Sequence, residues 1–124
     1  MSNIISYIEE INTIVITYSG QAPPAEVQEA IRMAYQMAVE HHSKRFLVDC
    51  SKMESGGGSV LDIYELAGMF EQFPDIRKYR DAILLPQGEA GADDLRFFET
   101  TARNRGFNVC VFTDRQAALD WLME

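Results

Sequence analysis

Hydroxyl and carboxylate side chains surround three consecutive glycines between residues 46 and 59. An apolar run typical of a strand ends there, and an apolar stretch typical of a helix follows. Ser55 and Ser59 therefore lie close to a helix N-terminus, where unpaired backbone N–H groups favour an anion or a phosphoryl group. Ser59 is the first phosphorylation candidate of this segment, and Ser55 is the second. The loop residues expected to contact a partner or ligand are Asp49, Ser51, Gly56, Gly57, Gly58 and Ser59.

Ser59 also has a purely structural interpretation. Serine is strongly preferred as the residue that caps a helix N-terminus, and Asp62 three residues later gives a weak capping box. A phosphate on Ser59 would instead add nearly two negative charges, stabilised by the helix dipole but repelling an acidic partner. From the residues alone, Ser59 is either a helix cap or a phosphorylation site whose charge controls binding to a partner.

The helix predicted over residues 59–73 is apolar on more than one side. Such a helix must be covered by other parts of the fold, by a ligand or by a partner. The segment 75–80 could fold over Met69 and Phe73, a second copy could bind the same face, or an apolar groove beside the helix could hold a small molecule. The helix residues expected to contact a partner or ligand are Ile63, Tyr64, Met69, Phe70 and Phe73.

Patterns that would support catalysis or a cofactor are weak. His41 and His42 are adjacent at a predicted helix end, with no Cys or carboxylate at metal-ligand spacing. The glycine-rich segment 56–59 lacks the lysine of a P-loop and the fingerprint of a dinucleotide-binding turn. No serine, cysteine or threonine has an evident base. We therefore predict a non-enzymatic binding module with no catalytic residues, no metal and no cofactor.

Composition limits the partners. The 124 residues carry 19 acidic and 11 basic side chains, a net charge of −8 that disfavours nucleic acid and anionic membranes. No stretch approaches the roughly 20 apolar residues of a membrane span. The first residues lack the basic start of a signal peptide, so we expect a cytoplasmic protein without stable membrane insertion. Cys50 and Cys110 fall in apolar runs and are predicted to be reduced and to pack as small hydrophobes.

Strand-like and helix-like runs alternate after an initial hairpin, in the order ββαβαβαβα. Gly106 fits the left-handed position that ends a helix, Thr113 or Asp114 fits the cap of the next helix, and Glu99 is predicted to face solvent. This pattern predicts one α/β domain over residues 1–124, with a mainly parallel or mixed five-stranded sheet and four helices. The predicted strands are 4–10, 13–18, 45–50, 82–86 and 107–112, and the predicted helices begin at Pro23-Pro24, Ser59, Asp93-Asp94 and Thr113 or Asp114.

Three features resemble the STAS superfamily, and more narrowly its SpoIIAA-like, STAS/SEC14-type branch of small bacterial proteins. They are the order of elements, the strand end Leu47-Val-Asp-Cys-Ser51, and the closing segments Phe112-Thr-Asp and Ala118-Leu-Asp-Trp-Leu122. The similarity extends over nearly the whole chain. It implies a SpoIIAA-like fold and, on its SEC14 side, an apolar groove for a lipid.

In the anti-sigma-factor antagonists of this superfamily, the resemblance implies, a partner kinase phosphorylates a serine at the start of the helix after this strand and switches binding off. Ser59 best matches that serine. The antagonists carry Asp-Ser-Ser-Gly-Leu there, whereas this chain has Gly57-Gly58-Ser59-Val60-Leu61, without the acidic residue and without the glycine after the serine. Asp49 and Ser51 match the antagonists' strand-end Asp-x-Ser. The resemblance therefore implies a regulatory module that binds a protein partner through residues 55–73.

Overall fold

Strands and helices alternate along the computed structural model, which describes residues 3–56 and 60–124. The strands are β1 (Asn3–Ile8), β2 (Thr13–Ala22), β3 (Arg45–Gly56), β4 (Arg80–Leu84) and β5 (Asn108–Phe112). The helices are α1 (Pro24–Glu40), α2 (Val60–Met69), α3 (Glu89–Asn104) and α4 (Arg115–Leu122). The five strands lie in chain order in one sheet, with β1 antiparallel to β2 and the other neighbours parallel. The predicted mixed α/β sheet with four helices is confirmed.

The β1–β2 hairpin turns through a short 3-10 helix, Glu9–Ile11, and ends at Asn12 with a φ of 45°. Asparagine tolerates this left-handed conformation better than most residues. The Tyr7 hydroxyl donates to Asn12 Oδ1 at 2.7 Å, and the buried Ser43 hydroxyl donates to the Asn12 carbonyl at 2.7 Å. These bonds hold the start of β2 beside the start of β3.

Helices cover both faces of the sheet, and strand alternation decides which side chains each face receives. On β2, Ile14, Ile16 and Tyr18 belong to the core that α1, α2 and α3 cover. Val15 of the same strand belongs to a smaller core under α4. Among the described residues, the three crossover helices therefore share one face, and α4 packs on the other.

Alanines bring α1 close to the sheet. Ala30, Ala34 and Ala38 repeat every four residues and are buried, so they form one face of the helix. Val27 and Ile31 of the same helix are only partly buried against this core. Because alanine side chains are small, this face of α1 can lie close to the strands beneath it.

β2 and β3 run farther than the sequence predicted. β2 does not end at Tyr18, and β3 does not end at Cys50, since the two strands continue side by side to Ala22 and Gly56. Register shifts interrupt this extension next to Gly20, whose φ is +65°. Pairing between the two strands supplies backbone hydrogen bonds to segments whose own residues have little strand preference.

Two helix boundaries also differ from the prediction. α2 ends at Met69, and a 3-10 turn, Phe70–Gln72, continues it toward the predicted end. α3 begins at Glu89, about one turn before the predicted Asp93-Asp94, because the residue before Glu89 is already extended and serves as the N-cap.

Two local helix signals are confirmed. Gly106 follows α3 with a φ of +85°, which glycine adopts without steric cost. Asp114 caps α4, where its carboxylate accepts a hydrogen bond from the Ala117 backbone N–H at 2.9 Å.

Side chains of α3 cap the outer edge of β5. Glu99 Oε2 accepts from the Val111 backbone N–H at 2.8 Å, and Arg103 Nη1 donates to the Val109 carbonyl at 3.1 Å. An uncapped strand edge invites pairing with another chain, so these contacts protect it. The prediction that Glu99 faces solvent is wrong, because the edge strand has a backbone donor that requires an acceptor.

Candidate functional site

Asp49 and Ser51 lie on the α4 side of the sheet. Asp49 Oδ1 accepts hydrogen bonds from the Ser51 backbone N–H at 2.9 Å and from the Ser51 hydroxyl at 2.6 Å. Asp49 Oδ2 lies 3.3 Å from Arg115 Nη1 at the start of α4. This carboxylate therefore orders the strand locally, as aspartate does in turns, and connects β3 to α4.

We predicted that Asp49 and Ser51 contact a partner or ligand together with residues of α2. The structure instead separates these two residues from α2. Leu47 packs in the core under α4, and strand alternation places Asp49 on the same face. Ile63 of α2 packs in the core on the opposite face. The predicted loop-and-helix site therefore divides between two sides of the sheet.

Most of the α2 residues predicted as contacts are covered by the protein itself. Ile63, Met69 and Phe70 are buried, and Phe73 is partly buried. Tyr64 differs from them, since 52% of its surface is exposed. The helix thus turns one side toward the core and presents one aromatic side chain to solvent.

An aromatic stack covers Phe73. Its ring centroid lies 4.4 Å from that of Tyr35 on α1, and the Tyr35 hydroxyl donates to the Pro74 carbonyl at 2.6 Å. The ring of the buried Tyr79 lies 5.4 Å from that of Tyr35. Tyr79, in the segment 75–80 that was predicted to cover Phe73, thus contacts Tyr35, and Tyr35 of α1 is the residue that stacks directly on Phe73.

An exposed aromatic pair lies on the outer surface of α2 and α3. The ring of Tyr64 lies 6.4 Å from that of Phe97, and 36% of Phe97 is exposed. Glu65, beside Tyr64 in the sequence, is also exposed. We call Tyr64 and Phe97 the α2–α3 aromatic patch. Both rings are therefore accessible from solvent, and tyrosine is among the residues enriched at binding hot spots.

The glycine loop lies partly outside the described residues, which exclude Gly57, Gly58 and Ser59. The backbone of Ser55 and Gly56 completes β3. α2 begins at Val60 and has Asp62 in its first turn. The carboxyl end of β3 therefore lies directly before these three residues, and the N-terminus of α2 lies directly after them.

A partly open cavity of about 100 Å³ lies between the sheet and the helices α1, α2 and α3. Phe70 and Phe73, which follow the second helix, are among the residues that line it. Most of its other walls are aliphatic or aromatic, but Asp81 of β4 and Tyr18 of β2 also face it.

One oxygen of Asp81 and the hydroxyl of Tyr18 lack hydrogen-bond partners within the described residues. Asp81 Oδ1 and the Tyr18 hydroxyl are enclosed and make no hydrogen bond within the described residues. Burial raises the pKa of Asp81 from its ordinary 3.8 to about 7, and burial also raises the pKa of Tyr18. Burial raises the pKa of the neighbouring Cys50 to about 12, so that free thiol is neutral and unreactive.

Sequence reasoning missed Asp81. It follows a charged run, residues 75–80, that lies before the predicted strand 82–86. β4 begins at Arg80, two residues before the predicted strand, and its alternation places Asp81 on the same face as the buried Ile83. The signal that would have found Asp81 is the period-two alternation of β4, extended backwards from Ile83.

In residues 3–56 and 60–124, no group of three or more His, Cys, Asp or Glu side chains could hold a metal ion. His41, at the end of α1, stacks its ring on that of Tyr7 at 3.9 Å between centroids. No helix in the described part of the chain is long and apolar enough to cross a membrane.

Solved structures identify the fold. The chain aligns with an anti-sigma factor antagonist from Mycobacterium paratuberculosis with a TM-score of 0.64 and 15% identity, over 98% of this chain and 93% of that one. The unphosphorylated form of the anti-sigma factor antagonist SpoIIAA gives a TM-score of 0.56 and 13% identity, over 98% and 97% of the two chains.

A third solved protein is itself described as having a SpoIIAA-like fold. It is an uncharacterised member of the DUF3478 family from Shewanella loihica, with a TM-score of 0.54 and 19% identity over 97% of this chain and 91% of that one. The predicted SpoIIAA-like fold is confirmed by these three structures. No family model matches the sequence, and no curated protein matches it.

Proposed function

We propose that this protein is a non-enzymatic regulatory module that binds a protein partner through residues 55–73, with Tyr64 at the centre of the contact. The α2–α3 aromatic patch carries this proposal, because Tyr64 is half-exposed while Ile63 and Phe70 of the same segment are buried. Tyrosine is enriched at binding hot spots, since it buries a large area while losing little side-chain freedom. Phe97 extends the same surface onto α3.

The solved structures support a protein partner. Two proteins that share this fold are anti-sigma factor antagonists, whose name describes regulation of another protein. One of them was solved in its unphosphorylated form. A comparable regulatory role for this chain is our proposal from the shared fold and the exposed patch together.

Phosphorylation of Ser59 is the proposed control of this contact. Ser59 directly precedes Val60, the first residue of α2, and Tyr64 follows about one helical turn later. A phosphate there would add nearly two negative charges at the positive end of the helix dipole. Those charges would weaken binding to a partner that presents acidic residues around an apolar centre. Ser55, at the end of β3, is the second candidate.

A pull-down from the native host tests the contact surface. We expect one protein to be retained by wild type and lost by Tyr64→Ala, because the substitution removes the central ring of the contact. Met33→Ala is the matched control, since Met33 is equally exposed, at 53%, but lies on α1. Circular dichroism should show equal thermal stability for all three proteins. Retention of the partner by Tyr64→Ala would contradict the proposed surface.

Two substitutions of Ser59 test the switch in the same experiment. Ser59→Ala should retain the partner, Ser59→Asp should lose it, and peptide mass spectrometry should find phosphate on Ser59 of the protein from its host. If both variants behave like wild type and no phosphate is found, Ser59 is a helix cap. The result for Tyr64→Ala then still decides whether the contact surface is correct.

A second copy of the chain competes with a different protein for this surface. Sedimentation equilibrium at several concentrations distinguishes the two. A dimer that Tyr64→Ala dissociates would assign the α2–α3 aromatic patch to self-association. The net charge of −8 opposes such a dimer at low salt, so added salt should then strengthen it.

A further inference from the structure

Asp81 has one enclosed carboxyl oxygen, Oδ1, that lacks a partner within the described residues. It lies on β4 in register with Phe46 of β3 and Val109 of β5, and it faces the cavity under α1, α2 and α3. Its Oδ1 accepts no hydrogen bond from the described residues, and none of those that line the cavity is a Lys, Arg or His. A buried carboxylate without a donor is unfavourable. A ligand that brings a donor and a positive charge would remove that cost.

Aromatic rings are frequent in the walls of the cavity that Asp81 faces. Tyr18 of β2, Tyr35 of α1, and Phe70 and Phe73 at the end of α2 are among those that line the cavity. Aromatic faces attract cations, and the attraction is stronger where water is excluded. The remaining walls are mainly aliphatic and suit an alkyl chain. A carboxylate among aromatic walls therefore favours an organic cation over an anion.

The cavity volume of about 100 Å³ selects a small ligand. An apolar cavity of about 150 Å³ is large enough to bind benzene. By this comparison, a chain of about four carbon atoms with one polar head fits the cavity. A longer chain would extend through its open side.

We infer that this cavity is a binding site for a small primary alkylamine, with the ammonium group at Asp81 and the alkyl chain among the aromatic rings. A protonated primary amine supplies both an N–H donor for Oδ1 and a positive charge. A quaternary ammonium has no N–H to donate, and an alcohol brings no charge. This site goes beyond the proposed partner contact, because Phe70 lines the cavity on the inner side of the helix while Tyr64 lies on the outer side.

The amine should bind more tightly as the pH rises from 6 to 8. Burial raises the pKa of Asp81 to about 7, whereas an alkylamine stays protonated throughout this range. The ionised fraction of Asp81, and with it the apparent affinity, therefore rises about tenfold. The other titratable residues lining the cavity stay neutral because burial raises the pKa of each; they are Tyr18 on β2, Cys50 on β3, Tyr35 on α1 and Tyr79 after α2. The lining residues of α2, α3 and β5 within the described chain include no titratable group.

Calorimetric titration with n-butylamine, and with 1-butanol as its uncharged analogue, tests the inference on the purified protein. At pH 8, wild type should bind n-butylamine at least about tenfold more tightly than 1-butanol, and Asp81→Asn should lose this preference. From pH 8 to pH 6, the affinity of wild type for n-butylamine should fall about tenfold, and that of Asp81→Asn should not. Ile31→Phe, which fills part of the cavity, should weaken binding of both compounds.

Three results would overturn the inference. Equal affinity for the two compounds would show that Asp81 does not recognise the charge, and binding of neither would leave the cavity to water. Unchanged amine binding in Asp81→Asn would place the amine on another acidic part of the surface. Circular dichroism checks that each variant folds. If Ile31→Phe does not fold, the NMR signals of Tyr18 and Ile83 in wild type replace it, because only binding inside the cavity shifts them together.

Discussion

Asp81 should make the folded protein less stable as the pH rises from 4 to 8. Burial raises the pKa of this carboxyl from 3.8 to about 7, so the folded state keeps a proton on Asp81 where the unfolded chain has released it. Stability falls with pH wherever the folded state binds more protons than the unfolded state. The contribution of Asp81 is therefore fully favourable below about pH 4 and is lost as the pH rises through 7.

The size of this loss follows from the two pKa values. Each pH unit between 3.8 and about 7 lowers the free energy of unfolding by about 1.4 kcal/mol, which gives about 4 kcal/mol in total. Part of the Asp81 side chain faces the cavity rather than packed atoms, and water there would stabilise the charge. The value of about 4 kcal/mol is therefore an upper limit.

Asp81→Asn removes the titrating group and nearly preserves its shape. At pH 4.5 the variant should be more stable than wild type by only about 1 kcal/mol, because folded Asp81 still keeps its proton and the unfolded chain has only begun to gain from releasing it. At pH 8 the variant should be more stable by about 2 to 4 kcal/mol. Urea unfolding at pH 4.5, 6, 7 and 8 measures this difference. Asp93→Asn, which replaces an exposed acid on α3, is the control whose difference from wild type should change little with pH.

Parallel stability curves for wild type and Asp81→Asn would refute the reasoning. They would mean that the folded protein ionises Asp81 at no greater cost than the unfolded chain does. Higher stability of wild type at pH 8 would refute it more strongly, since the carboxylate would then have a favourable partner in the folded state.

Two further substitutions test the packing around α3. Gly106→Ala should lower the free energy of unfolding by about 1 to 2 kcal/mol, because φ is +85° there and a Cβ would lie 3.3 Å from Arg77 Nε. Gly88→Ala, with no atom within 4 Å of the added Cβ, should lower the free energy of unfolding by only about 0.5 kcal/mol in the same urea assay. Glu99→Ala should cost about 1 to 3 kcal/mol and speed hydrogen exchange at the Val111 amide, which loses its acceptor. The exposed Arg96→Ala on the same helix should leave that amide unchanged, and equal exchange in both variants would contradict the edge-capping role of Glu99.

The fold was predictable because most of its signals are local and repeated. Apolar alternation and helical spacing indicated the strands and helices in their correct order, and Gly106 and Asp114 marked helix ends through their own backbone chemistry. The predicted ends of β2 and β3 were wrong, because pairing between residues far apart in the sequence extends both strands. Residues 51–56 include charged residues and glycine, yet they extend β3 because β2 pairs beside them.

The candidate site was less predictable because its geometry depends on which face each helix covers. Asp49 was expected to act with α2, but α4 returns to the opposite face of the sheet and brings Arg115 to Asp49. The enclosure of Asp81 likewise results from elements that lie far apart in the sequence and meet over β4. A charged residue beside a charged connector gives no local sign of such burial.

The second helix belongs to both proposals, and its two sides separate them. Tyr64 lies on the solvent side, whereas Phe70, in the turn that continues α2, lines the cavity. If the two sites are independent, Tyr64→Ala should abolish partner capture without changing amine binding, and Asp81→Asn should do the reverse. If one substitution changes both, the two binding events share a coupling free energy, and the amine must then alter partner affinity by the same factor as the partner alters amine affinity. Measuring amine affinity with and without the captured partner decides between these two cases.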